Sequence, residues 1–193
     1  MAREDITHTR GDAPPGTTKD PSVAESGLAA DRDEDTLITK TVTINRDRHA
    51  LYAFWRDFRN LPLFMENIES VTSVDGNRSH WTVRAPADTT VEWDSVIVED
   101  IPGQLIEWRS VDKSSIKNSG RIEFRDSGNG RGTWVSAVIA YDPPAGKVGK
   151  AIATLFGREP KLQARRDLRR FKQLMETGEV STTMPPLAAP RGE

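Results

Sequence analysis

Apolar and polar residues alternate through most of the middle of this chain. Residues 37–46 (LITKTVTINR) follow a period of two and are rich in β-branched side chains, which predicts a strand with one buried face. Asp47 then stands where a helix N-cap belongs, ahead of Ala50, Leu51, Ala53, Phe54 and Trp55. A second short helix or turn is expected over 59–65, with Pro62 in its first turn. Six further strands are predicted at 68–75, 79–85, 90–99, 103–111, 116–126 and 132–141. Their separators are turn-formers: Asp75-Gly76-Asn77, Pro86, Pro102-Gly103 and Ser127-Gly128-Asn129-Gly130. Such short separators make hairpins, so the sheet should be an antiparallel meander. Pro143-Pro144 ends the strands, and a helical pattern follows from about 147 to 177. Val148, Ile152, Leu155 and Phe156 share one face, which Ala164, Leu168, Phe171 and Met175 continue. Gly157 and Pro160 predict a kink or two consecutive helices, and Gly178 a C-terminal stop.

The alternation also says which side of each strand is buried. The apolar set is Trp81 and Val83, then Val91, Trp93 and Ile97 with Ser95 between, then Ile106 and Trp108, Ile122 and Phe124, and Val135, Ala137, Ile139 and Tyr141. The intervening positions carry Arg84, Glu92, Asp94, Glu107, Arg109, Arg121, Glu123 and Arg125. This is a sheet with one apolar and one polar face. Cross-strand charge pairs, each worth about 0.2–1 kcal/mol, account for the polar face without any special function. Trp55, Trp81, Trp93 and Trp108 are expected inside or at the helix edge. They either fill the core or line a ligand cavity, and periodicity alone does not separate the two.

Composition sharpens the boundaries. Residues 1–36 hold nine acids and four bases, a net −5, with three prolines and no aromatic residue. Such a segment buries too little apolar surface to offset its ordering entropy and reads as an acidic disordered tail. Residues 179–193 read as a second flexible, proline-rich tail, leaving 37–178 as the folded domain with all thirteen aromatics. The whole chain carries −2, which lacks the signature of a polyanion binder. The absence of cysteine excludes disulfide scaffolds, thiolate metal sites and cysteine nucleophiles, and fits a reducing cytoplasm. No apolar run is long enough for a membrane-spanning helix, and no secretory signal is visible at MAREDITHTR.

Candidate chemistry is sparse. His8, His49 and His80 show no His-x-x-x-His or His/carboxylate spacing, so no metal is expected; His80 reads as a surface residue at a strand start. There is no Gly-x-Ser-x-Gly elbow and no P-loop. Glu92, Asp94, Glu107 and Glu123 alternate with the apolar set and should face water, while Glu66 could stand at a cavity mouth. The strongest charge asymmetry lies at 147–172, with nine bases against Glu159 and Asp167. Arg158, Lys161, Arg165, Arg169 and Lys172 form one stripe at helical spacing. The stripe is either a solvated outer face or a docking surface for anionic lipid, at about 1 kcal/mol per basic residue. Nucleic acid is disfavoured, because exposed aromatics do not interleave with the bases.

The order of elements, with VEWDSVIVEDIPGQLIEWRS (91–110), SGRIEF (119–124), AYDPPAGKVGK (140–150) and LFGREPKLQARRDLRRFKQLMETGE (155–179), resembles the SRPBCC superfamily. This is the START-like, helix-grip group, and the similarity is to its bacterial polyketide cyclase/dehydrase and coenzyme-Q-binding-like branch. The resemblance implies an α+β helix-grip fold: a curved seven-stranded antiparallel sheet around a long C-terminal helix, with two short helices after the first strand and a cavity between sheet and helix. It implies a binding or carrier protein for a hydrophobic small molecule such as a quinone, lipid or aromatic polyketide, working without a cofactor. It is expected to be cytoplasmic and to contact the inner membrane face peripherally. The implied cavity wall comprises Trp81, Val83, Trp93, Ile97, Ile106, Trp108, Phe124, Ala137, Ile139 and Tyr141 from the sheet, with Tyr141 as the orienting hydrogen-bond donor. Trp55, Phe64, Ile152, Leu155 and Phe156 would close it from the helical side. The alternatives are a cyclase or dehydratase, for which Ser95, Tyr141 and His80 are thin machinery, and a ligand-free interaction module whose tryptophans fill their own core.

Overall fold

The computed structural model describes residues 37–85, 89–112, 114, 116–128, 130–142 and 160–180. The predicted elements form close to their expected bounds. Strand β1 (Leu37–Ile44) leads into α1 (Arg48–Arg56) and a 3₁₀ helix (Phe58–Leu63). The meander follows as β2 (Ile68–Ser73), β3 (Arg78–Ala85), β4 (Thr89–Ile101), β5 (Leu105–Ser110), β6 (Lys117–Asp126) and β7 (Thr133–Asp142), and α2 (Pro160–Thr177) comes last. The strands make one antiparallel sheet in the order β1-β7-β6-β5-β4-β3-β2, so β1 pairs beside β7 and completes one edge.

Local chemistry explains the boundaries. Asp47 caps α1 by accepting the backbone N–H groups of His49 and Ala50 at 2.9 and 3.2 Å. Leu51 and Trp55, one turn apart, are the buried residues of α1. Asp57 caps the 3₁₀ helix, and Pro62 lies near its end instead of in its first turn, because the helix starts one residue earlier than its spacing suggested. Pro102-Gly103 turns β4 into β5, with Gly103 at φ 71° and Gln104 N–H bonded to Ile101 O at 2.9 Å. Gly178, at φ 80°, ends α2 by donating to Leu174 O at 2.8 Å. The helical stretch expected before Pro160, with its kink, lies outside the described residues.

Helix α2 lies along β1 and is fastened there by polar contacts around its buried stripe of Ala164, Leu168 and Phe171. Lys172 Nζ donates to Thr43 O at 2.7 Å, Arg46 Nε to Met175 O at 2.6 Å, and Asn45 N–H to Glu176 Oε1 at 2.7 Å. Arg46 thus supplies a cation to the carbonyl end of the helix, where the helix dipole favours one. On the other flank Arg170 pairs with Glu66, which follows the 3₁₀ helix.

Candidate functional site

The concave face of the sheet carries a wall of three indoles. Trp81 on β3, Trp93 on β4 and Trp108 on β5 are all buried. Trp81 stands between the other two, at centroid distances of 5.9 Å to Trp93 and 6.3 Å to Trp108, with ring planes 17° and 16° apart. Their N–H groups are all satisfied within the wall. Trp81 Nε1 donates to Ser79 Oγ at 2.9 Å, Trp93 Nε1 to Ser95 Oγ at 3.1 Å, and Trp108 Nε1 to Asn118 Oδ1 at 3.3 Å. Trp108 lies flat across Gly120, its cross-strand partner: a Cβ there would sit 2.2 Å from Trp108 Cζ2. The missing side chain is what lets the ring reach this position.

Other expected wall residues fall on the same face. Val83, Ile106, Phe124 and Ala137 are buried there, and Ile97 and Ile139 are half-buried. Trp55 and Phe64 do not belong to this wall. They pack at 5.1 Å from each other and at 4.9 Å each from Phe171 of α2, as the core of the junction between the helices. Tyr141 lies on β7, but its side chain, like that of Lys161, is outside the described set, as are residues Ile152, Leu155, Phe156 and Arg158.

Phe58, absent from the sequence-derived set, is the residue that meets the wall. It stands edge-on to Trp81 at 5.4 Å and to Trp108 at 5.5 Å. Its signal was a lone aromatic just after the α1 pattern, and only the 3₁₀ turn directs it onto the sheet.

Two carboxylates also take unexpected places. Asp100 turns to the concave side because β4 carries a bulge between Ile97 and Glu99, which inverts the alternation beyond it. Tyr52 donates its hydroxyl to Asp100 Oδ1, and Arg56 Nε donates to Oδ2 at 2.6 Å, so β4 holds α1. Burial, and then the Asp100 carboxylate, push the Tyr52 hydroxyl up to about 12. Asp167 lies one turn before Phe171 on α2, beside the buried stripe, and is half-buried. Burial pushes its carboxyl up to about 7, although Gln163 Nε2, donating at 2.8 Å, and Arg166 pull the other way.

The polar face corrects two expectations. Glu107 and Glu123 do not stand free in water. Arg121 Nη1 donates to Glu107 Oε2 at 3.0 Å and its Nε to Glu123 Oε1 at 2.8 Å, while Arg125 Nη2 reaches Glu123 Oε2 at 2.6 Å. The three central side chains lie flat against one another, with 12–19 % of their side-chain surface exposed. His80 also has a carboxylate partner, Asp94 at 2.8 Å across β3 and β4, a proximity that linear spacing does not display. Among the described residues no group of three His, Cys, Asp or Glu is placed to hold a metal ion. No described helix is long and apolar enough to cross a membrane. Of the basic stripe, Arg165 and Arg169 are exposed, whereas Lys172 is turned aside to Thr43 and Glu176.

This architecture has known counterparts. DR_A0006 from Deinococcus radiodurans is 40% identical, with 75% of this chain and 100% of that one covered at a TM-score of 0.62. TTHA0849 from Thermus thermophilus (18% identity, 71% and 94% covered, TM-score 0.57) shares the fold. So does the Zhui aromatase/cyclase from Streptomyces sp. R1128 (12% identity, 75% and 98% covered, TM-score 0.57). No curated protein matches the chain. The family described as "Polyketide cyclase / dehydrase and lipid transport" matches residues 44–169. With that match running from the end of β1 through the indole wall into α2, the chain belongs to the polyketide cyclase/dehydrase and lipid-transport family.

Proposed function

We propose that this protein is a non-catalytic binding or carrier protein for a flat hydrophobic small molecule, of the quinone, lipid or aromatic polyketide type, held against the concave face of the sheet. The observation that carries the reading is the indole wall. Each ring N–H is taken up by Ser79, Ser95 or Asn118, so the wall offers ring faces and no unmet polar group. Phe58 already uses two of these faces edge-on, which is the contact an aromatic ligand would make. A ligand losing about 300–400 Å² of apolar surface gains roughly 8–10 kcal/mol. Association costs remove several kcal/mol of that and leave micromolar binding in reach.

Organic extraction of detergent-free protein, with native mass spectrometry of the intact chain, tests the reading. A stoichiometric apolar molecule supports it. An empty protein whose tryptophan emission ignores quinones, fatty acids and flat aromatics overturns it in favour of a self-filled interaction module. On the carrier reading, exposed Arg165 and Arg169 dock the protein on anionic membrane, which co-sedimentation with phosphatidylglycerol vesicles would register.

Asp167 favours a second reading, an enzyme of the cyclase or dehydratase kind. A half-buried carboxyl that burial pushes up to about 7 can donate or accept a proton near neutrality. The fold shared with an aromatase/cyclase is compatible with it. Turnover of the extracted molecule, lost in Asp167→Asn with binding retained, would decide for the enzyme.

A further inference from the structure

We propose that a ligand reaches the indole wall through the cleft between the end of α1 and the β2–β3 turn, and that the Phe58 ring is the gate, admitting flat molecules and refusing bulky ones. The proposal rests on the concave-face reading above and adds its entrance and its selecting residue.

The cleft leads onto the concave face. Its floor holds Val71 and Ser79, both buried, and half-buried Ile97. The last two each lie beside one indole of the wall. Ser79 Oγ accepts the Trp81 N–H at 2.9 Å, and Ile97 is the cross-strand partner of Trp108. Neither indole is part of the cleft's lining. Phe58 is, and it stands edge-on to the same two rings. Its ring is therefore what separates the cleft from Trp81 and Trp108. At the other end exposed Ala53, Arg59, Ser73 and Asn77 open the cleft to solvent.

The surroundings confine any opening to that ring. Asp57 accepts the Arg59 backbone N–H at 3.2 Å, and Asp57 O accepts that of Asn60 at 2.9 Å. Asn60 Nδ2 donates in turn to Phe54 O at 2.9 Å, so the backbone is pinned on both sides of Phe58. Arg56 ties the cleft's walls together: from α1 it donates Nη2 to Gly76 O at 3.0 Å and Nε to Asp100 Oδ2 at 2.6 Å. Rotation of the Phe58 side chain is the movement left to widen the passage. The cleft, at about 410 Å³, has room to receive the ring, since a cavity of about 150 Å³ already holds benzene. The slot that a planar ring vacates fits another planar ring, which recovers the edge-on contacts to Trp81 and Trp108 that Phe58 gives up.

Stopped-flow quenching of tryptophan emission by 2-methyl-1,4-naphthoquinone, a flat quinone, tests the gate in the full-length chain. Phe58→Leu keeps an apolar side chain without the ring and should speed association about tenfold, whereas Phe58→Trp should slow it about tenfold. Leu63→Ala, exposed on the same 3₁₀ helix and off the cleft, should leave the rate unchanged. 1-Adamantanol, apolar but not flat, should compete with the quinone in Phe58→Ala and not in the parent. Equal rates in the parent, Phe58→Leu and Phe58→Trp would overturn the gate and leave the concave-face reading standing. Competition by 1-adamantanol in the parent would overturn the selection of flat molecules. Quenching absent from the parent and every variant would overturn the gate and the concave-face reading together.

Discussion

Trp81 and Trp93 stack with centroids 5.9 Å apart, and each donates its indole N–H to the serine two residues away on its own strand. The serines face each other as well, because β3 and β4 pair Trp81 with Trp93 and Ser79 with Ser95. The sequence motif is a mirror pair, Ser79-His80-Trp81 and Trp93-Asp94-Ser95. In an antiparallel ladder such a pair brings like residues opposite one another. Burying two indoles on one face therefore leaves no orphaned N–H.

Ser95→Ala breaks that arrangement where water has no access, since Ser95 is fully buried. It should cost about 1–3 kcal/mol by leaving the Trp93 N–H unpaired. Urea unfolding measures this. A loss below about 0.5 kcal/mol would show that the N–H finds another acceptor.

Gly120→Ala should cost about 1–3 kcal/mol and shift tryptophan emission, because the added methyl would stand 2.2 Å from the Trp108 ring. Unchanged stability and emission would mean that Trp108 slides away freely and that its place on the wall is not determined by Gly120.

Tyr52 should titrate at about pH 12, followed by tyrosinate absorbance. Asp100→Asn should lower that value only partway towards 10, because burial, the larger cause, remains. A full return to the ordinary tyrosine range would assign the whole shift to Asp100.

Asp167 has a folded-state pKa above its unfolded value, so the folded chain holds the proton more tightly. Its stabilising contribution is complete below about pH 4, falls as pH rises, and is gone above about pH 7. Asp167→Asn should remove this slope and unfold at higher denaturant than the parent at pH 8. Identical pH profiles for the two proteins would show that the carboxyl is solvated.

Much of this protein was legible in its sequence because its signals are local. A strand of period two declares its own buried face, and Asp47, Pro102-Gly103 and Gly178 act through their own backbone neighbourhoods. Even the inward placing of Trp81, Trp93 and Trp108 needed only the parity of each strand. The resemblance of the quoted strings then supplied the topology, which pairing confirms strand by strand.

The tertiary structure decided what depends on residues far apart in the chain. One unpaired residue near Val98 inverts β4, and so Asp100 meets Tyr52 and Arg56 on the concave side instead of facing water with Glu99. The 3₁₀ helix carries Phe58 onto two indoles, and α2 brings Arg170 to Glu66 across 104 positions of sequence. Periodicity assigns a residue to a face, but a bulge resets the count and a pairing of distant charges leaves no period at all. Sequence by itself therefore determined the layers of this protein. The pairing of its distant charges, and the seating of Phe58 on the indoles, came from how those layers meet.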